Sequence, residues 1–529
     1  MDRTKLSIIQ DITNDYLSDV NKDIPICPQT IEKELLTKIE HTFKMQNAIN
    51  DKSNQLVIPT ELNFAVIATI MKELYPIALI SCNGDSTSSE FDLLAIYQDD
   101  GLYCTDENAL FNIAKEFCYN LSINQFKEII FRLRATVPRL RRCNDKDLIA
   151  VNNGIFNYET KELLPFSEQL VFLTKSKVNY NPFATNIVLH NDEDGTDWDV
   201  ESWMASLNDD QEIVQLLWEI LGAIIRPNNR WNKSAWLYAE SGNNGKGTLC
   251  ELMRQLCGPG SYAAISIADF AKDYLLEPLI HSSAIIVDEN DVGTFIDKAA
   301  NIKACITNDV LWINRKFKMP VAYQFYGFMV QCLNEFPKIK DRSDSFYRRQ
   351  IFIPMNKCFT GKERKYIKDS YLHNPEVLEY VMQRVLNMDY YKLSEPKACI
   401  DVLNEYKDFN DTIRQFVDEI QDELIWDLVP FTFLYSLYLA WFRLNCPSGS
   451  PLSKHTFIHD LLNVLQNNNK WYCTDKSQKI KRANRMDKHE PLIITYDLKD
   501  WQDTNYRGLD PQQKANFTKS ESYRGILRY

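Results

Sequence analysis

The stretch AESGNNGKGTL, residues 239–249, holds three glycines, two asparagines and one lysine. A loop of that composition lets backbone N–H groups converge on phosphate oxygens, and a helix behind it adds partial positive charge. Gly242, Asn243, Asn244, Gly245, Lys246, Gly247 and Thr248 are therefore expected to cradle a nucleotide, with Lys246 reaching its β- and γ-phosphates. The stretch departs from the usual pattern twice. Glu240 stands at the first glycine position, and Gly247 stands where a Ser or Thr normally ligates Mg²⁺. Thr248 or water is expected to take that role.

Three further segments add chemistry in order. About forty residues on, SSAIIVDEND runs through four apolar residues, Ala284 to Val287, and ends in Asp288-Glu289. A buried parallel strand reads this way, and its C-terminal carboxylates face a nucleotide crevice. Asp288 is expected to hold Mg²⁺ and Glu289 to activate the attacking water. YGFMVQCLNEFP is another apolar run and ends at Asn334, whose amide can donate to a γ-phosphate or lytic water. DRSDSFYRRQIFIPM carries Arg348-Arg349 just before a strand, and either arginine can stabilise charge on a transferring phosphoryl group, often from a neighbouring subunit.

The elements that must position these groups are readable. SAWLYAE (234–240) is a short apolar strand. TLCELMRQLCG (248–258) has Leu249, Leu252, Met253 and Leu256 at helical spacing, with Gly258 as a C-cap. The glycine loop thus lies between a strand and a helix. Residues before 90 read as helices and loops. LIAVNNGIFNYETKELLPF reads as paired strands turning at Asn153-Gly154. Towards the C-terminus come two helices, VPFTFLYSLYLAWFRLN and SKHTFIHDLLNVLQNN, a basic stretch, and PLIITYDLKDW, which reads as a strand. Helix, helix, basic hairpin is the order of a winged helix.

Composition narrows the classes. The 529 residues allow three or four domains. No run is apolar enough to span a bilayer and the first residues hold no signal-peptide core, so the expected compartment is the cytoplasm, that of a bacterial host, with no membrane partner. Thirteen cysteines without a CxxC pair argue against a disulfide framework and give no zinc spacing. The net charge of −12 argues against indiscriminate coating of nucleic acid. Two segments run against that average: 127–142 has six basic residues and one acid, and 470–488 has seven and two. His455 and His459 share a helix face with no carboxylate to complete a metal site.

The order GNNGKGT, IIVDE, KACITNDVLWINRKFK, CLNEFP, YRRQIFIP resembles a superfamily-three helicase of the AAA+ class, in the poxvirus and phage primase–helicase branch. The resemblance covers roughly residues 90–500. It implies an α/β AAA+ P-loop core with a mixed α+β N-terminal region and a C-terminal winged helix. The implied domains are a helical region 1–90, a pre-helicase domain 91–195, a helical lead-in 196–230 and a helicase core 231–375. A helical linker 376–425, a winged helix 426–505 and a tail 506–529 follow. It also implies ATP and Mg²⁺ as cofactors, with Thr248 and Asp288 at the metal, and a homo-hexamer. Arg315, Lys316, Phe317 and Lys318 would lie on a hairpin projecting into a pore around single-stranded DNA. Lys454, His455, Lys479, Lys481 and Arg482 would meet duplex DNA. Before residue 90 no paired acids and histidine of a primase are found, so a separate primase and host replication proteins are expected partners. The expected activity is ATP-driven unwinding in phage or mobile-element replication. The alternatives are an ATP-regulated initiator without processive unwinding and a non-catalytic scaffold.

Overall fold

The computed structural model describes residues 3–21, 27–50, 55–83, 89–272, 274–296, 298–339, 341, 343–445, 451–466, 468–515 and 519–529. The fold is mixed α/β, and the chain divides into two compact units, Met1–Val402 and Leu403–Tyr529.

In the first unit, helices Phe64–Leu74 and Ile123–Thr136 pack on a four-stranded sheet. Asn63 caps the first helix, and Ser122 with Gln125 forms a capping box on the second, satisfying N–H groups a helix start leaves open. The strand order is Tyr103–Cys104, Leu93–Tyr97, Ile77–Ser81, Arg139–Arg141. The boundary expected at residue 90 thus falls between two paired strands. The hairpin expected at Asn153-Gly154 forms, with Val151 opposite Gly154.

The candidate site rests on one five-stranded sheet. Its strands are β1 (Ser234–Tyr238), β2 (Tyr262–Ala263), β3 (Ala284–Val287), β4 (Phe328–Leu333) and β5 (Gln350–Pro354), ordered β2-β3-β4-β1-β5 and all parallel. Every residue of β3, β4 and β5 is buried, as a parallel sheet covered on both faces demands. Helix α1 (Gln211–Ile225) and helix α2 (Lys246–Cys257) share one core with it. The connection from β1 leads through α2 towards β2, whereas that from β4 leads to β5 on the other edge. The crevice between the C-terminal ends of β1 and β4 is therefore the point where the winding reverses, where open α/β sheets bind ligands.

In the second unit, α3 (Thr412–Ile420), α4 (Phe431–Asn445) and α5 (Lys454–Leu465) pack through Phe416, Leu437, Phe457 and Leu461. Two small sheets adjoin them. β6 (Leu428–Pro430) and β7 (Trp471–Tyr472) flank β10 (Gly525–Arg528), and β8 (Ile480–Lys481) pairs with β9 (Ser522–Tyr523). The segment PLIITYDLKDW is not a strand: it forms a helical turn at Leu492–Thr495 and a 3₁₀ turn at Lys499–Trp501. Leu492 and Ile493 are both fully buried, and a half-buried strand cannot send neighbours to one side. The strands that complete this sheet come instead from the last eight residues. Among the described residues no helix is long and apolar enough to cross a membrane.

Candidate functional site

The glycine loop folds into a left-handed turn that opens α2. Asn243 has φ +54° and Gly245 φ +85°, and a Cβ at Gly245 would lie 2.8 Å from Leu207 Cδ2. Only glycine tolerates both demands there. A Cβ at Gly242 would meet nothing within 4 Å, so the outer face of the loop is open. The two asparagines hold the loop from inside. Asn243 Nδ2 donates to Thr360 Oγ1 and Glu363 Oε1 at 3.3 and 3.1 Å, and Asn244 accepts from Lys246 N at 3.4 Å.

Lys246 is 6% exposed and lies across the crevice at the winding reversal. Its Nζ donates to Asn334 Oδ1 at 2.7 Å, Leu333 O at 2.8 Å and Ala239 O at 3.3 Å. Burial lowers its pKa, opposed by the nearby Cys332 and Asp288. An ammonium held on carbonyl and amide oxygens, with no carboxylate bonded to it, is released at little cost to an incoming polyanion.

The structure brings Asp288 to the start of α2. A Cβ on Gly247 would lie 3.1 Å from both Asp288 carboxylate oxygens, so Gly247 faces this acid. Thr248 instead lines a cavity of about 650 Å³ with Asn243, Gly245, Trp203, Phe359 and Glu363. That cavity adjoins the loop and is lined by aromatic and polar side chains. Glu289 is exposed at the end of β3. Beside it Asn290, which the sequence reading did not single out, ties β3 to β4 by donating to Gln331 Oε1 at 2.9 Å and Cys332 O at 3.1 Å.

Arg348 and Arg349 lie elsewhere. They precede β5, whose Gln350 pairs with Ser234 at the start of β1, whereas the loop follows Tyr238 at its end. Five strand residues, about 17 Å, separate the arginines from their own loop. Arg349 is bound to its own helix, donating to Ser345 Oγ at 2.9 Å, while Arg348 is exposed.

The segment Arg315–Lys318 turns between the antiparallel strands Val310–Ile313 and Val321–Gln324. Phe317, at φ +60°, is 96% exposed, and Lys316 Nζ lies 5.4 Å from its ring centre. Arg315 is drawn back into an ion pair with Glu277 at 3.2 Å, and Lys318 lies 3.7 Å from Glu107.

In the second unit, Lys454, His455 and Lys479 meet at a cleft of about 560 Å³, joined by His459, Lys476 and Arg524. Among the described residues no carboxylate lines it, though Asp460 lies 3.0 Å from His459 Nδ1. Lys481 and Arg482 lie outside this lining. Arg524 escaped the sequence reading because it reaches the cleft only through the pairing of β9 with β8.

Two segments are similar to known families. Residues 409–499 match the poxvirus D5 protein-like family, and residues 237–349 match a family of unknown function (DUF5906). The second unit is thus similar to the poxvirus D5 protein-like family. No curated protein matches the sequence. Among particular structures, the chain is similar to an apo form of the NrS-1 C-terminal region at 14% identity, covering 80% of this chain and 98% of that one with a TM-score of 0.40. An A-form apo structure of the same region gives 14%, 73%, 83% and 0.39.

Proposed function

We propose that the chain is an ATP-driven DNA helicase of the superfamily-three AAA+ type, working as a homo-hexamer in phage or mobile-element replication. The observation that carries this reading is the arrangement of one sheet. Lys246, Asn334 and Asp288 converge at the winding reversal, and the paired Arg348-Arg349 lie at the opposite end of the sheet. The similarity of the second unit to the poxvirus D5 protein-like family agrees with the branch suggested by the sequence motifs.

The residues fit a nucleotide. The open turn around Gly242 and the N–H groups at the start of α2 receive the phosphates, and Lys246 swings from Asn334 to them. Asp288 would hold Mg²⁺, with water in the place that Gly247 leaves without a hydroxyl. A bound Mg²⁺ supplies charge neutralisation at the phosphates. Glu289 takes the proton of the attacking water, and Asn334 orients it. An arginine from a neighbouring copy completes the site, because its own is too far away. Lys316 and Phe317 engage single-stranded DNA, and the basic cleft of the second unit engages duplex DNA.

The competing readings are an initiator whose ATP controls assembly on DNA and, favoured by Gly247, a non-catalytic scaffold. Strand displacement from a forked duplex with ATP and Mg²⁺ separates the helicase from both. ATP-dependent displacement is expected. DNA-stimulated ATPase without displacement would leave the initiator, and the absence of any ATPase would sink the helicase and leave the scaffold.

A further inference from the structure

Beneath the glycine loop lie two thiols that phosphate binding does not use, beside the carboxylate of Asp288. Cys250, one turn into α2, meets Cys332 of β4 with their sulfurs 3.4 Å apart. Both are essentially unexposed, at 0% and 1%. A carboxylate oxygen of Asp288 joins them, and the three ligand atoms all lie within 4.8 Å of one another. Among the described residues no other such group of potential ligands forms. Two thiols in contact would serve as small packing groups anywhere in a core. Here they share a carboxylate that is half-exposed and therefore open to solvent.

We propose that Cys250, Cys332 and Asp288 form a binding site for a thiophilic divalent cation, Zn²⁺, directly under the glycine loop. Tetrahedral zinc with bonds of about 2.3 Å to sulfur sets two thiolates about 3.8 Å apart. The observed 3.4 Å is within a few tenths of that spacing. Three protein ligands leave one position for water on the side of Asp288. Two thiolates and a carboxylate carry −3; the cation, the neighbouring Lys246 ammonium and Arg254, 3.9 Å from Asp288, offset that charge. Occupancy withdraws Asp288 from the nucleotide, so Zn²⁺ inhibits ATP hydrolysis. That consequence rests on the role proposed for Asp288; the site itself does not.

Co²⁺ titration of the reduced full chain, without nucleotide, tests the site. One equivalent should give the near-ultraviolet thiolate-to-cobalt charge-transfer band, and Zn²⁺ should abolish it. Cys250→Ala and Cys332→Ala should each lose the band while their circular dichroism matches wild type. Cys305→Ala, at a buried cysteine outside the cluster, should keep it. Asp288→Asn, which leaves both core thiols in place, should weaken binding about tenfold or more. No charge-transfer band in the wild-type chain, or a band retained by both cysteine variants, overturns the proposal. A band that Cys332→Ala removes, with no inhibition of wild-type ATPase by Zn²⁺, upholds the site and rejects the role given to Asp288.

Discussion

The proposed site would divide binding from turnover between two side chains, Lys246 and Glu289. Lys246 is buried and multiply bonded at the crevice, whereas Glu289 stands exposed at a strand end. Lys246→Ala should therefore weaken ATP binding itself. Glu289→Gln should keep nucleotide binding and lower turnover about 10²-fold or more, as loss of a general base does. Equilibrium binding of a fluorescent ATP analogue, beside steady-state ATPase, checks both, and near wild-type turnover in Glu289→Gln would remove that assignment. Gly247 admits a gain-of-function test. A serine there puts a hydroxyl beside Asp288, provided the carboxylate yields a few tenths of an ångström to the new Cβ. Gly247→Ser should lower the Mg²⁺ concentration for half-maximal ATPase; an unchanged requirement would show that water already fills the position fully. Gly247 also shows where sequence reading stops. The loop, the strand-end acids and Asn334 were legible because each lies within a few residues of its own strand. That Gly247 faces Asp288 depends on how α2 rotates against β3, which no local pattern encodes.

At the scale of elements, the hairpin tip and the C-terminal unit behave differently. Phe317 is almost wholly exposed, so Phe317→Ala should leave thermal stability unchanged and cost about 1–3 kcal/mol of single-strand affinity, the worth of a base stacked on an aromatic ring. Fluorescence anisotropy with a single-stranded oligonucleotide at fixed salt measures it, and unchanged affinity would make the tip an idle loop. In the second unit Glu490 is wholly buried. Its Oε2 accepts from Ile425 N and Trp426 N at 2.9 and 3.1 Å, while Oε1 has no partner. Burial raises its pKa. An acid whose folded pKa is raised costs stability above its unfolded pKa, and the cost vanishes below it. Glu490→Gln should therefore raise the melting temperature at pH 7, with the gain shrinking as pH falls towards the ordinary glutamate value and absent below about 4. A gain independent of pH would point to packing instead. This unit was the least legible element. Its helices followed from apolar spacing, but its sheet is completed by β9 and β10, far along the chain from β6. The β-branched run in PLIITYDLKDW suggested a strand where burial of adjacent residues imposes a helical turn.

For the whole molecule, the separation of Arg348 from its own loop predicts complementation. Arg348→Ala and Lys246→Ala chains should each be nearly inactive alone. Mixed in equal amounts at random, about a quarter of neighbouring pairs unite an intact loop with an intact arginine, so about a quarter of wild-type ATPase should return. Arg349→Ala should give no comparable pattern, because Arg349 is occupied within its own chain. No recovery at any mixing ratio, in oligomers shown to exchange subunits, would deny a shared site. The same sheet has an arithmetic consequence. A contact that sets the loop end of one copy against the arginine end of the next is head-to-tail and cannot be satisfied by both faces of an isolated pair. An open row of n copies then holds n − 1 complete sites, and only closure into a ring adds the last. Turnover per chain should accordingly climb with assembly size along an open row and step to its full value when the two ends meet.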